Sequence, residues 1–178
     1  MNLMDMRIQA QLHIGVSIDQ PFARRYANEC LLQLCNMYPR TAMRKKKLLL
    51  ENVTRGEEVA IPDDCYMLYK VKTHGELYDD YEMFEDHLEF EDSGNFEITY
   101  FAKPTPLNAE TDVPEVPEAF HPSICLFIGA REKFRLFGEE DVDSIRLMRE
   151  FAETAGLASS FISQRGRRRR MIKVPEWR

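Results

Sequence analysis

The chain has 178 residues, 44% of them hydrophobic and 30% charged, with a formal net charge of −6; this suits one domain, or one domain with a small insert, around a sizeable core. Its longest apolar run, about eight residues around Ile124, is far below the roughly 20 needed to span a bilayer, and Met1–His13 carries Asp5 and Arg7 with no apolar h-region, so neither a membrane span nor a secretory signal is expected. Cys30, Cys35, Cys65 and Cys125 show no CxxC spacing and sit among apolar neighbours, which reads as reduced core thiols rather than disulfides or zinc ligands.

In chain order, Leu3 to about His13 offers a short helix, broken at Gly15 and Ser17-Ile18-Asp19. Asp19 or Ser17 can cap a long helix from Gln20, with Pro21 in its first turn. Ala23, Ala27, Cys30, Leu31, Leu34, Met37 and Tyr38 recur at helical spacing, and Pro39 ends the helix. From Lys47 the pattern changes. Arg55-Gly56 is a turn signal, and Val59–Ile61 is a strand stopped by Pro62. Asp63-Asp64 would cap a brief turn through Leu68, Tyr69–Thr73 is a strand ending at His74-Gly75, and Leu88–Glu91 alternates. Asp92-Ser93-Gly94 reads as a hairpin loop with Gly94 left-handed, leading to a strand with Phe96, Ile98 and Tyr100 on one face. A polar linker of extended chain follows, about ten residues, long enough to cross ~30 Å.

Pro114 and Pro117 then punctuate an acidic lead-in. Glu115 and Glu118 suit a helix N-terminus, and a helix is expected over 118–137, apolar nearly all round from Ile124 to Ala130. Gly138 can close it in a left-handed cap. Asp141 can cap a second, antiparallel helix with a stripe at Val142, Ile145, Met148, Ala152 and Ala155. The fold class expected is α+β: a bundle of three main helices with a small antiparallel β insert and an extended basic C-terminal arm. Its parts are a single domain over 1–164 (helical core 1–46 and 113–164, β insert 47–103, linker 104–112) and the arm over 165–178.

Asp112, Pro114, Pro117, Glu118, Phe120 and His121, in the order Asp-x-Pro-x-x-Pro-Glu-x-Phe-His-Pro before an apolar helix, a Gly-containing break and a second helix, resemble the head-to-tail adaptor proteins of tailed bacteriophages. The tail tubular A-type proteins of short-tailed phages belong to that group. Met37-Tyr38-Pro39 closing the earlier helix and Val59-Ala60-Ile61-Pro62-Asp63-Asp64 fit the same pattern, so the likeness spans roughly residues 20–165. Arg40–Lys47 departs from it, being polar and basic where the family carries more aromatic residues. The resemblance implies a structural virion protein made in the host cytoplasm and placed in the virion neck. There it would form a ring, dodecameric in the family, that joins the portal to a downstream tail or nozzle protein and continues the DNA ejection channel without binding DNA specifically.

Charge divides unevenly. Arg165 to Arg178 holds seven positive charges against Glu176 alone, +6 net, so with a total of −6 the preceding 164 residues carry −12. Successive like charges favour an extended segment, while Trp177 and the apolar residues beside Pro175 suggest anchors. Arg165, Arg167, Arg168, Arg169, Arg170, Ile172, Lys173, Val174 and Trp177 are therefore candidates for docking into an acidic groove of a protein partner, with a solvated tail as the alternative; the resemblance implies that this partner is the portal. The resemblance makes Phe120, Ile124, Phe127, Ile128 and Arg131 candidates for subunit packing. Asp79, Asp80, Glu82, Glu85 and Asp86 read as a solvated acidic face, and the resemblance would turn that face toward the channel, where negative walls avoid trapping phosphates.

No enzyme signature stands out: there is no Gly-rich phosphate loop, HExxH or GxSxG. His13, His74, His87 and His121 are scattered, and His121 suits a packing role. Asp63 with Lys70 and Lys72 lacks the second carboxylate of a nuclease, and Glu76–Asp92 lacks calcium-loop spacing. No catalytic residue, metal or cofactor is expected. The alternative reading is a soluble regulatory or interaction protein that binds nucleic acid through its Arg-rich tail.

Overall fold

The structure is a computed structural model; it describes residues 1–138 and 140–171, and of 166–171 the backbone only. It is mixed helix and antiparallel sheet, in two compact units: a helical unit built from Met1–Ala42 and the chain from Pro104 onward, and a β unit, Met43–Lys103.

The helical unit contains α1 (Leu3–Ile14), α2 (Gln20–Met37), a single turn α3 (Pro39–Ala42), α4 (His121–Phe137) and α5 (Val142–Met171). α4 is central: α1, α2 and α5 all pack on it. The segment over 1–14 is a firm fourth member of the bundle. Asn2 and Asp5 form a reciprocal capping box, and Gly15 closes the helix with φ 67°. Leu3, Met6, Ala10 and Ile14 are buried, whereas Met4, Ile8 and Leu12 are exposed. The helix is apolar on both sides, which removes the polar–apolar contrast that periodicity depends on.

α2 buries Ala23, Tyr26, Ala27, Cys30, Leu31, Leu34 and Cys35. The stripe expected on α5 is displaced around the helix. Leu147, Phe151, Ala155 and Ala158 face the core, Val142, Ile145 and Ala152 are exposed, and Met148 is half-buried. Two apolar series share this helix, and the one carrying Leu147 and Phe151 buries more area; Phe151 meets Phe127 edge-on at 5.2 Å. α5 also continues through 165–171 instead of giving way to an extended arm there. Arginine is a good helix former, and the like-charge pairs three and four residues apart cost only a few tenths of a kcal/mol each.

Residues 104–113 are not an extended crossing. Leu107 is buried in the helical core; its N–H donates to Asn28 Oδ1 at 2.8 Å and its carbonyl accepts from Asn28 Nδ2 at 3.0 Å. The N–H groups of Leu3 and Met4 donate to the carbonyls of Asp112 and Glu110. The segment thus satisfies the first turn of α1 as well as its own backbone.

The β unit has β1 (Arg44–Val53), β2 (Glu58–Ala60), β3 (Cys65–Thr73), β4 (Glu76–Leu77), β5 (Tyr81–Met83), β6 (His87–Phe90) and β7 (Gly94–Ala102). Two sheets form, ordered β1-β7-β3-β4 and β2-β6-β5. They share a core of Val53, Val71, Tyr78, Leu88, Phe90, Phe96, Ile98, Tyr100 and Ala102. Three expectations change here. Strand begins at Arg44, inside the basic stretch assigned to the helical core. Residues 65–68 are strand, not turn; register shifts between Cys65 and Met67 and between Leu68 and Lys70 break the alternation that would have marked them. The 92–94 segment is no hairpin, since β6 pairs with β2 and β5 while β7 pairs with β1 and β3. Gly94 is not among the residues with positive φ; the chain changes sheet there, held by Tyr78, whose hydroxyl accepts from Asp92 N–H at 3.1 Å. The two-residue turn at His74-Gly75 does fit, with φ 50° and 87° between the paired Thr73 and Glu76.

Candidate functional surfaces

The lead-in to α4 is built from side chains that satisfy backbone. Asp112 accepts from the N–H groups of Asn108 and Ala109 at 2.7 and 2.8 Å, and these bonds lower its carboxyl below the usual range. Glu115 accepts from both the N–H and hydroxyl of Thr105, each at 3.1 Å. Val116 and Phe120 enter the core, and Phe120 packs at 6.0 Å on Tyr38. His121 is buried, its Nε2 3.3 Å from the Val116 carbonyl and its Nδ1 3.3 Å from the Met1 amine. Burial, and then the nearby amine, lower its pKa. Asp112, Val116, Phe120 and His121 thus set the entry of α4.

Phe120, Ile124, Phe127 and Ile128, expected to pack against another subunit, are at most 1% exposed. Three helices of the same chain cover α4, so its all-round apolar centre is fully explained within one chain, and these four are core residues. Arg131 does reach the surface. It pairs with Glu29 at 3.2 Å and lies over the rings of Tyr26 and Phe134. One turn on, Arg135 grips the buried Glu132 through two hydrogen bonds of 2.9 and 2.7 Å and stacks over Phe22 at 4.5 Å. These cation–aromatic contacts fasten α4 to α2.

The helical unit leaves apolar side chains uncovered elsewhere. At the α4–α5 turn, Leu136, Phe137, Val142 and Ile145 are exposed, Val142 by 77%. Met4, Ile8 and Leu12 line the outer face of α1, and Leu157 and Phe161 that of α5. Of the basic-arm candidates, Arg165 is described and sits over Phe161 at 5.2 Å. Arg167, Arg168, Arg169 and Arg170 are placed on α5 by backbone, while Ile172, Lys173, Val174 and Trp177 lie outside the described residues.

In the β unit, Asp79, Asp80, Glu82, Glu85 and Asp86 are all exposed. Asp79, Asp80 and Glu82 share a concavity of roughly 380 Å³ with Arg55, Glu91 and Asp92. Asp86 instead turns to His87, its Oδ1 2.8 Å from Nδ1. Among the described residues, one group of three or more metal-ligating side chains comes close enough to hold an ion: Glu58, His87 and Glu89, whose ligand atoms all lie within 4.8 Å of one another. The sequence shows part of this, since His87 and Glu89 alternate onto one face of a strand. Glu58 joins them only through the pairing of β2 with β6, which no local spacing reveals.

All four cysteines are free thiols. Burial pushes Cys35 up to about 11 and Cys125 up to about 12, and Cys30 well above its usual value, so none of these three is poised as a thiolate. No helix among the described residues is long and apolar enough to cross a membrane. In comparison with known proteins, the chain matches no protein-family model and no curated protein.

Proposed function

We propose that the protein is a structural component of a phage virion, a ring-forming adaptor between portal and tail that continues the DNA channel. The observation that carries this reading is the uncovered apolar surface of a helical unit whose core is already complete. Leu136, Phe137, Val142 and Ile145 gather at one turn of the chain, with Met4, Ile8 and Leu12 in a row on α1. Apolar groups so placed suit contact with another protein, and repetition around a ring turns modest contacts into a stable joint. The proposed subunit contact therefore moves from the centre of α4 to its C-terminal end and the outer faces of α1 and α5. The Asp-Pro-Pro-Glu-Phe-His lead-in supports the same reading by the architecture it sets.

In this reading the basic end of the chain docks on an acidic groove of the portal, the exposed acidic residues of the β unit keep passing DNA from sticking, and the protein resides in the virion neck. The second reading, nucleic-acid binding, is favoured by one feature: α5 carries its basic residues on a helix through Met171. The two readings separate in salt. Full-length protein and a form cut after Gln164 should keep the same packed core, because Ile162 is the last α5 residue against it among the described side chains. Binding to the portal should be lost on truncation and fall modestly between 50 and 200 mM salt. Tail-dependent binding to duplex DNA that falls steeply, by about 10³-fold or more for six phosphate contacts, with no portal binding, would replace the adaptor reading.

A further inference from the structure

The outer face of the β2-β6-β5 sheet brings together chemistry that an adaptor does not require. Across the three strands Glu58 stands opposite Glu89, and Glu89 opposite Glu82. Like charges directly opposite on paired strands repel, so a row of three carboxylates is unfavourable unless something cationic sits with it. Arg55 lines the same concavity as Glu82 and Glu89, but its guanidinium is engaged by Glu91 at 3.1 Å. Two residues along β6, on the face shared with Glu89, is His87. Its Nδ1 is held by Asp86 at 2.8 Å, and its Nε2 lies 3.6 Å from Glu89 Oε1. The Phe84 ring stacks on the imidazole at 4.6 Å and 12°, which fixes the ring plane.

A carboxylate on one imidazole nitrogen with the other directed at acidic oxygens is the arrangement in which histidine serves as a metal ligand. The carboxylate accepts a hydrogen bond from Nδ1–H, which fixes the tautomer and makes Nε2 more basic. We propose that Glu58, His87 and Glu89 bind a divalent transition-metal ion of the zinc class, with Asp86 orienting His87. One imidazole and two carboxylates from a solvent-facing sheet suit Zn²⁺, leaving a coordination position open. The nitrogen donor favours Zn²⁺ over Mg²⁺ or Ca²⁺, which prefer all-oxygen sites. Because β2 reaches this sheet only through a three-residue pairing with β6, the ion would also act as a clip between them.

The test is calorimetric titration of Zn²⁺ into the full chain in metal-free buffer, beside His87→Gln, Glu58→Gln and Asp86→Asn. One equivalent should bind to the natural chain. His87→Gln and Glu58→Gln should weaken it at least 100-fold and Asp86→Asn by about 10- to 100-fold, with Mg²⁺ and Ca²⁺ weaker throughout. The urea midpoint should rise with Zn²⁺ in the natural chain and not in Glu58→Gln. Without metal, Glu58→Gln should be no less stable than the natural chain, since it removes a like-charge contact. Glu58→Gln and Asp86→Asn keep the His87–Phe84 stack and decide the matter if His87→Gln fails to fold. Absence of saturable binding, binding indifferent to these substitutions, or a Co²⁺ spectrum with thiolate-to-metal absorption would overturn the proposal.

Discussion

His121 is held neutral by its surroundings: it is buried among Val116, Phe120 and the first turn of α4, and burial lowers its pKa below the usual 6.5. With the folded value depressed, its neutral form costs nothing above pH 6.5, and protonating it in the folded state becomes a penalty as pH falls below that value. Stability should therefore drop between pH 7 and pH 5, and urea midpoints should show less of this drop in His121→Gln. The carboxylates that hydrogen bonds keep low, Asp64 beside Lys46 and Glu97 beside Lys47, act in a separate window, losing their contribution as pH falls below about 4. At Phe151 the matter is volume. It is 1% exposed against Phe127, and Phe151→Ala should cost about 3–5 kcal/mol, read as a large fall in denaturation midpoint. A loss under 1 kcal/mol would mean that α5 does not sit on α4 by this face. At this scale the packing role of His121 was legible from its place before Pro122. The choice of Phe151 over Val142 was not, because two apolar series run along one helix and only the partner surface selects between them.

Among the elements, α4 depends on close approach. At Gly129 an added Cβ would lie 3.1 Å from Ile14 Cγ2, so α1 crosses here on the absence of a side chain. Gly129→Leu should destabilise by roughly 1–3 kcal/mol and should release the amides of α1 to hydrogen exchange first. Protection of α1 equal to that in the natural chain would contradict the crossing. α5 starts on a cap: Asp141 Oδ2 accepts from Ser144 N–H at 2.7 Å. Asp141→Ala should cost about 1 kcal/mol in thermal or urea unfolding. This cap, the extent of α2 and the antiparallel α4–α5 pair were legible because caps, proline stops and 3.6-residue spacing are local signals. α1 was only faintly so, since both its faces are apolar. β3 was partly hidden by its bulges. The separation of β6 from β7 was hidden because a bend with Ser and Gly looks the same whether the flanking strands pair or diverge. The ligand group on β2 and β6 was invisible for the same reason: strand pairing across 29 positions leaves no mark on either segment.

For the molecule as a whole, the proposed assembly role rests on a self-sufficient four-helix core that leaves apolar side chains uncovered at the α4–α5 turn and on α1, with a β unit carrying acidic residues. Charge sets the expected behaviour, since a body with −12 and a basic end with +6 favour an acidic protein groove for the end and disfavour DNA for the body. If the apolar turn is a subunit contact, Val142→Glu with Phe137→Glu should abolish association while leaving the monomer's stability within about 0.5 kcal/mol, as expected for surface positions. Electron microscopy of the chain mixed with the portal protein of a candidate phage puts this reading to the test. A ring stacked on the portal is expected, lost with the Val142→Glu, Phe137→Glu pair and with truncation after Gln164. Portal particles that remain bare at moderate salt, with the natural full-length chain present, would contradict it.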